Sequence, residues 1–493
     1  MTVIIPNPGE ELKQLSISHN GHNGNHSNIT ALVDTGLINP AQPMLLTNPT
    51  HDEGNAQCVQ ALHPNRFHYN ESLGWLQNNG THWTREGSEA VLERTIVLTL
   101  TARIDAALKS GQADKYSDLI KKSVPNSGRV MGAKALFRSL VYTPPSTFDA
   151  DLNLLNCPNG VVDLRTGQII PHSSNHKFMH CTEVSYIPDA ATTHWVSWLK
   201  SAVGEEQAQF LKLAAGYSLT GHTREEIMFY LFGPPRSGKG TFIETLLAAL
   251  GEPLALATKF STFTAERNGD TQNFDLAPMQ PCRVVAASES NSYERFNEAK
   301  LKNVTGGDTI SCAFKFGNSF SYRPQFKIWL SSNHPVNADP DDDAVWGRIR
   351  VVHFGQSHLG TEDKLLKQSM RTPENLASVL AWAVQGAMEW YKLGKAGLQE
   401  TKISQSIKSA HRAELDDVQA WIEDYCTKQD GGFASVETLH RSYKNWCESN
   451  GYTPKQARRF GQTLKRKGFV DTKHYVNGRQ VRGYSGLSVN ISV

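Results

Sequence analysis

Residues 232–242 read FGPPRSGKGTF and set Gly233, Gly238 and Gly240 around Lys239 and Thr241. Glycines at this spacing let backbone N–H groups turn inward around phosphate oxygens, and the lysine carries a mobile cation to the terminal phosphates. The run before the loop, IMFYLF, is apolar, and FIETLLAAL after it has helical periodicity. Strand, loop, lysine, helix is the context of a phosphate-binding loop rather than a plain glycine turn, because the helix N-terminus adds positive potential. Gly240 stands where many such loops carry a Ser or Thr that ligates magnesium, so Thr241, Ser288 or a water must compensate. GKGT suits a small-molecule kinase as well as a nucleic-acid motor.

Such a loop needs a carboxylate at the end of a neighbouring strand to manage magnesium and the attacking water. RVVAASES (283–290) supplies an apolar run ending in Ser288 and Glu289, about 50 residues past the lysine. KIWLSSN (327–333) is a strand that ends in Asn333, an amide placed to orient water or sense a γ-phosphate. AVWGRIRVVHF (344–354) carries Arg348 and Arg350, each of which standing alone reads as a surface charge. TISCAFKFGNSFSYRP (309–324) alternates around Gly317-Asn318 and predicts a β-hairpin with Lys315 and Phe316 near its turn. A lysine there offers a phosphate contact and a phenyl ring a stacking surface.

The elements that position these residues alternate strand and helix between about 195 and 355, which predicts a parallel sheet flanked by helices. Upstream, VLERTIVLTLTARIDAAL (91–108) reads as a helix, and LLNCPNGVVDLRTGQII (154–170) as short strands turning at Asn159-Gly160 and Thr166-Gly167. Downstream of a helical stretch (360–427), TPKQARRFGQTLKRKGF (453–469) predicts a helix capped by Thr453 with Pro454 in its first turn. Ala457, Phe460, Gly461 and Leu464 share one face of it, leaving Lys455, Arg458, Gln462, Lys465 and Arg466 outward. A hairpin turning at Asn477-Gly478 and bearing Arg479 follows. With helices at about 416–427 and 435–449, these add up to a winged helix-turn-helix, a DNA-docking arrangement.

Charge supports that division. Residues 451–493 hold nine Lys/Arg against one acid, Asp471, whereas residues 1–450 carry 41 basic against 47 acidic residues. A basic module on a mildly acidic body implies a polyanionic partner. Seven scattered cysteines without a CxxC pair imply reduced intracellular thiols and a cytoplasmic location, and no apolar run is long enough for a membrane span. SISHNGHNGNHSN (16–28) is too polar to order itself, and its His19, His22 and His26 read as a disordered tail rather than a metal site. No internal repeat is evident.

The ordered set GPPRSGKGTF, RVVAASES, AKLKNVTGGDTISCAFKF, YRPQFKIWLSSNHPV and DDAVWGRIRVVHF resembles the superfamily 3 helicase core of the poxvirus- and phage/plasmid-type primase-helicases, a branch of the AAA+ ATPases. The likeness is most specific over 228–355, with TGGD (305–308) as a strong mark. LGWLQNNGTHW (73–83) and LLNCPNGVVDL (154–164) are similar to the helicase-associated domain that precedes such cores.

The resemblance implies a multidomain α/β chain: a polar tail (1–40), a mixed α+β helicase-associated domain (41–195), the AAA+ P-loop core (196–360), a helical extension (361–410) and the winged helix (411–493). It implies an ATP- and Mg2+-dependent ring, a hexamer, that moves along DNA while a phage, plasmid or other mobile element replicates. Lys239 and Thr241, with Gly233, Gly238 and Gly240, would bind phosphate, and Glu289 would be the Walker B acid. Thr241, Ser288 and Glu289 are the candidate magnesium ligands. Asn333 would be the sensor, and Arg348 the finger reaching a neighbouring subunit, with Arg350 as the fallback. Single-stranded DNA would meet Lys315 and Phe316 in the channel, and duplex or fork DNA would meet Lys455, Arg458, Lys465, Arg466 and Arg479. Asp149 and Asp151 (FDADL) read as a solvated loop without the histidine context of a primase, so priming would come from a separate primase or polymerase. A nucleotide kinase and a non-unwinding, ATP-dependent replication initiator are the competing readings.

Overall fold

The computed structural model describes residues 43–264, 273–288, 295–476 and 478–490. Glu289, Asn477 and the His-rich segment 16–28 lie outside the described residues.

The core sheet has five strands, all parallel, in the order Ile349–His353, Met228–Phe232, Lys327–Ser332, Val284–Ser288, Ala255–Lys259. Its central strands are almost continuously apolar because helices or loops cover both faces. On one face Phe229, Leu231 and Trp329 pack with Leu211, Phe242, Leu246, Trp382 and Trp390 from the helices Glu205–Leu219, Lys239–Leu250 and Pro373–Leu393. On the other, Tyr230, Val285 and Leu330 pack with Phe260, Phe296, Leu301 and Trp346. Glu205–Leu219 and Pro373–Leu393 touch backbone to backbone: a Cβ at Gly216 would collide with the amide of Ala387, and one at Gly386 with the carbonyl of Lys212. The helical stretch after the sheet therefore folds back into the core's own apolar cluster. So do Leu155, Val162 and Tyr186 from upstream.

Before the core, the helix Ser88–Lys109 places Leu92, Ile96 and Leu100 on one stripe, which packs against Ala56, Val59, Ala133 and Phe137. Two three-stranded antiparallel sheets accompany it: Phe67–Asn70 with Gly74–Asn78 and Trp83–Thr84, and Leu154–Cys157 with Gly160–Asp163 and Gln168–Ile170. The first turn of the second sheet falls at Pro158-Asn159, one residue earlier than expected, since Gly160 already pairs with Cys157. The Thr166-Gly167 turn is where the sequence places it.

After the core come the helix Asp417–Tyr425, the strand Cys426–Ser435, the helices Val436–Asn450 and Ala457–Arg466, and the strands Val470–Val476 and Arg479–Val489. The long last strand is central in a three-stranded antiparallel sheet. Val418, Trp421, Leu439, Tyr443, Phe460, Leu464, Tyr484 and Leu487 form a separate small core. The basic helix starts at Ala457, not Pro454. The Lys455 N–H donates to Tyr443 Oη at 3.2 Å and its carbonyl lies 2.9 Å from His440 Nε2. Both contacts tie the backbone of residue 455 to the helix Val436–Asn450 rather than to the basic helix. Ala457 is exposed, and Thr463 replaces it on the buried face.

Candidate active site

The glycine-rich loop joins Met228–Phe232 to the helix Lys239–Leu250. Gly233 (φ +152°) is required by close approach, since a Cβ there would overlap the carbonyl oxygen of Phe354. Gly238 (φ +98°) turns the chain into the helix, which begins at Lys239. Gly240 faces ordinary van der Waals neighbours, Glu244 and Lys367, at a φ open to any residue. Sterics do not exclude a hydroxyl side chain at 240. Thr241 is buried one position further on.

Lys239 is 6% exposed, and its ammonium lies within hydrogen-bond distance of four acceptors that share its three N–H groups: Gly233 O (2.8 Å), Pro234 O (2.8 Å), Asn333 Oδ1 (3.0 Å) and Ser237 Oγ (3.2 Å). All four are neutral, and among the described residues no carboxylate pairs with it. Burial without an anion pushes the lysine down to about 8. A buried cation that holds its place only through neutral oxygens is short of negative charge, which a polyphosphate would supply.

Asn333 follows Lys327–Ser332, which pairs on one side with the loop's strand and on the other with Val284–Ser288. Ser331 lies opposite both Leu231 and Ser288, so the lysine loop, Asn333 and the segment entering Glu289 all leave the sheet at its C-terminal edge. Ligand sites of open α/β sheets form at that edge. Ser288 is exposed there. The loop after Asn333 is pinned by Tyr230 Oη, which donates to His334 O at 2.9 Å.

Arg348 is not brought to this site. It ends the helix Asp343–Arg348 directly before Ile349–His353, at the opposite end of the parallel sheet. There its Nη2 lies 2.7 Å from Glu226 Oε2, and Nη1 donates to Ala344 O at 2.9 Å. Arg350 is a strand residue whose Nη1 donates to Gly347 O at 2.6 Å beside Glu400, and burial lowers its pKa.

The hairpin consists of Ile310–Ala313 and Ser319–Tyr322. Its tip is Lys315-Phe316 rather than Gly317-Asn318: the Gly317 N–H bonds Phe314 O, and Phe316 adopts φ +66°. Phe316 is 98% exposed and not part of a core, and the Lys315 ammonium sits 5.4 Å from its ring centre.

Of the basic residues expected to face outward from the C-terminal module, Arg458, Lys465, Arg466 and Arg479 are exposed. Lys455 is not available: its ammonium pairs with Asp417, which also accepts from Tyr443 Oη at 2.6 Å. Lys465 pairs with Asp471 at 2.7 Å, and Arg466 turns toward Asp341. The sequence reading passed over Arg459, which approaches Asp339, and Tyr475, 77% exposed near the hairpin tip between Lys473 and Arg479. An aromatic set between basic residues was the available signal for Tyr475.

Of the FDADL acids, Asp151 is exposed as expected, but Asp149 is not simply solvated. Asp149 Oδ1 accepts from the Met179 N–H at 3.0 Å, His180 lies 3.9 Å from its other oxygen, and burial raises its pKa. A histidine does meet this acid. Even so, among the described residues no group of three or more His, Cys, Asp or Glu is set to hold a metal. No described helix is long and apolar enough to cross a membrane.

Comparison with known proteins places three family models along the chain. "D5 N terminal like" matches residues 56–204, a family of unknown function matches 231–349, and "Poxvirus D5 protein-like" matches 413–485. "Putative helicase L207/L206" of Acanthamoeba polyphaga mimivirus is 25% identical over 417 residues, covering 77% of this chain and 43% of the relative. "Putative helicase 022R" of Frog virus 3 is 23% identical over 273 residues, or 52% and 28%. "Replication protein E1" of European elk papillomavirus is 27% identical over 125 residues, or 25% and 19%. The chain spans less than half the length of these curated relatives. Among solved structures, the apo NrS-1 C-terminal region (305-718) aligns over 62% of this chain and 77% of that one, at 13% identity and a TM-score of 0.42.

Proposed function

We propose that this chain, which D5-type family models match over residues 56–204 and 413–485, is an ATP-dependent DNA helicase serving the replication of a mobile genetic element. The observation that carries the reading is the meeting of Lys239 and Asn333, 3.0 Å apart, at the C-terminal edge of adjacent parallel strands. Asn333's strand lies between the lysine-loop strand and the strand that leads to Glu289.

In this reading the loop N–H groups and the Lys239 ammonium bind the β- and γ-phosphates of ATP. That exchanges neutral oxygens for anionic ones around a cation with no counter-ion among the described residues. Thr241, Ser288 and Glu289 would hold Mg2+, which when bound neutralises charge on the polyphosphate. Asn333, freed from Lys239, orients the attacking water or senses the γ-phosphate. Arg348, at the far end of the sheet, cannot serve the ATP of its own subunit. It serves as the finger of a neighbour, which requires a ring, taken as a hexamer. Its partner Glu226 holds it until a neighbour's phosphate competes.

The Lys315-Phe316 hairpin tip tracks single-stranded DNA in the channel through one phosphate contact and one ring face. The C-terminal module is read as a winged helix, with Ala457–Arg466 as the recognition helix and the last hairpin as the wing. A separate primase or polymerase would complete the machinery, and a cytoplasmic location suits the seven unpaired thiols.

Product analysis tests the reaction class. Release of ADP and inorganic phosphate, stimulated by DNA, is expected. Transfer of phosphate to a nucleotide acceptor would instead establish a kinase.

A further inference from the structure

The turn between Asn333 and Arg348, NADPDDDAV (337–345), carries four carboxylates and closes on itself through Asp342 N–H to Asp339 O (3.1 Å) and Asp341 N–H to Asp339 Oδ1 (3.0 Å). It does not face solvent alone. The Thr463 hydroxyl bonds the Asp341 carboxylate, and Arg466 Nη1 donates to Asp341 O at 2.6 Å and lies 3.8 Å from Oδ1. Arg459 Nη2 lies 3.7 Å from Asp339 Oδ2. The ATPase core thus grips the basic helix of the C-terminal module.

The grip covers one flank of that helix and leaves its front open. At roughly 100° per residue, Arg458, Gln462 and Lys465 project opposite the buried face made by Phe460, Thr463 and Leu464, whereas Arg459 and Arg466 fall together on the side of Thr463. A helix with its side chains is about 10–12 Å across, and the major groove is about 12 Å wide, so a groove encloses both flanks of a helix it admits. The acidic turn occupies one of them, with carboxylates where the groove would bring phosphates.

We infer that the Asp339–Asp343 turn is a latch that competes with duplex DNA for the recognition helix. In the latched form the helix cannot seat fully in a groove, and duplex binding must first displace the turn. Since the turn joins Asn333 to Arg348, its release moves the segment that connects the sensor to the finger. The inference rests on the duplex-binding reading of the C-terminal module and adds a regulatory contact to it.

The test is fluorescence anisotropy of the full chain with a labelled duplex, without nucleotide, at near-physiological salt. Asp339→Asn/Asp341→Asn is expected to bind about five- to tenfold more tightly than wild type, because exposed ion pairs of this kind contribute modestly. Asp343→Asn removes one carboxylate from the same turn, but Asp343 pairs with Arg412 instead of the helix; it should change affinity less than about twofold. Affinity unchanged or reduced in the double Asn variant, or equal tightening by Asp343→Asn, overturns the latch. If Arg458→Ala/Lys465→Ala still weakens binding in that case, the duplex reading survives the latch. Failure of wild type and the double Asn variant alike to bind duplex removes both.

Discussion

The lysine at the centre of the proposed site makes nucleotide affinity depend on pH in a calculable way. In the empty protein Lys239 titrates at about 8, against 10.5 for a free side chain, because it is buried among neutral oxygens. The unfolded chain therefore binds more protons than the fold between about pH 8 and 10.5, so the empty protein gains stability as pH rises through that window, by at most about 3 kcal/mol. Nucleotide affinity runs the other way. If the ammonium is the binding form and bound phosphate returns its pKa to 10 or above, the dissociation constant is flat below about pH 7 and rises about fivefold from pH 8 to 9. At pH 8 binding takes up about half a proton, and at pH 6.5 almost none. Asn333→Ala removes one acceptor from the ammonium, 3.0 Å away, and should move the onset to lower pH by up to about one unit. Calorimetric titration with a non-hydrolysable ATP analogue, in buffers of differing ionisation enthalpy, measures affinity and proton uptake together. An affinity flat from pH 7 to 9.5, or a binding heat independent of buffer at pH 8, would refute the reasoning.

Three further outcomes follow from particular side chains. Arg348→Ala should abolish hydrolysis while leaving analogue affinity within about twofold, because the residue lies at the far end of the sheet from its own loop; parallel loss of binding would count against a finger. Phe316→Ala should leave the melting temperature unchanged, since the ring is 98% exposed, yet reduce DNA-stimulated ATPase about tenfold or more, as base stacking on one ring is worth ~1–3 kcal/mol. Gly240→Ser should fold normally, with a stability change under about 1 kcal/mol, because only ordinary contacts surround a Cβ there; a large fall in melting temperature would show that the position needs glycine.

Much of this site could be read in the chain because its parts are local. Strand, glycine loop and helix follow one another, so Lys239 is placed by periodicity alone, and Asn333 and Ser288 were found as polar residues ending apolar runs. What the sequence did not carry was pairing. ALATK, the edge strand Ala255–Lys259, is short and half exposed and was missed, as was the glycine-rich strand Cys426–Ser435. Which cations remain free also depends on distant partners. Lys455 and Arg466 sit on a basic stretch beside Arg458, but Asp417 and Asp341, 38 and 125 residues away, engage the first two. The helix start slipped from Pro454 to Ala457 for the same reason, because Tyr443 and His440 capture the backbone of Lys455.

The central claim is that ATP turnover at Lys239 separates DNA strands. Strand displacement on a labelled fork with excess trap, comparing wild type with Lys239→Ala, tests it most directly. ATP- and magnesium-dependent unwinding by wild type, lost in Lys239→Ala while duplex binding persists, is the predicted result. DNA-stimulated ATP hydrolysis without strand separation on forks of either polarity would contradict it and leave an initiator that uses ATP only to assemble.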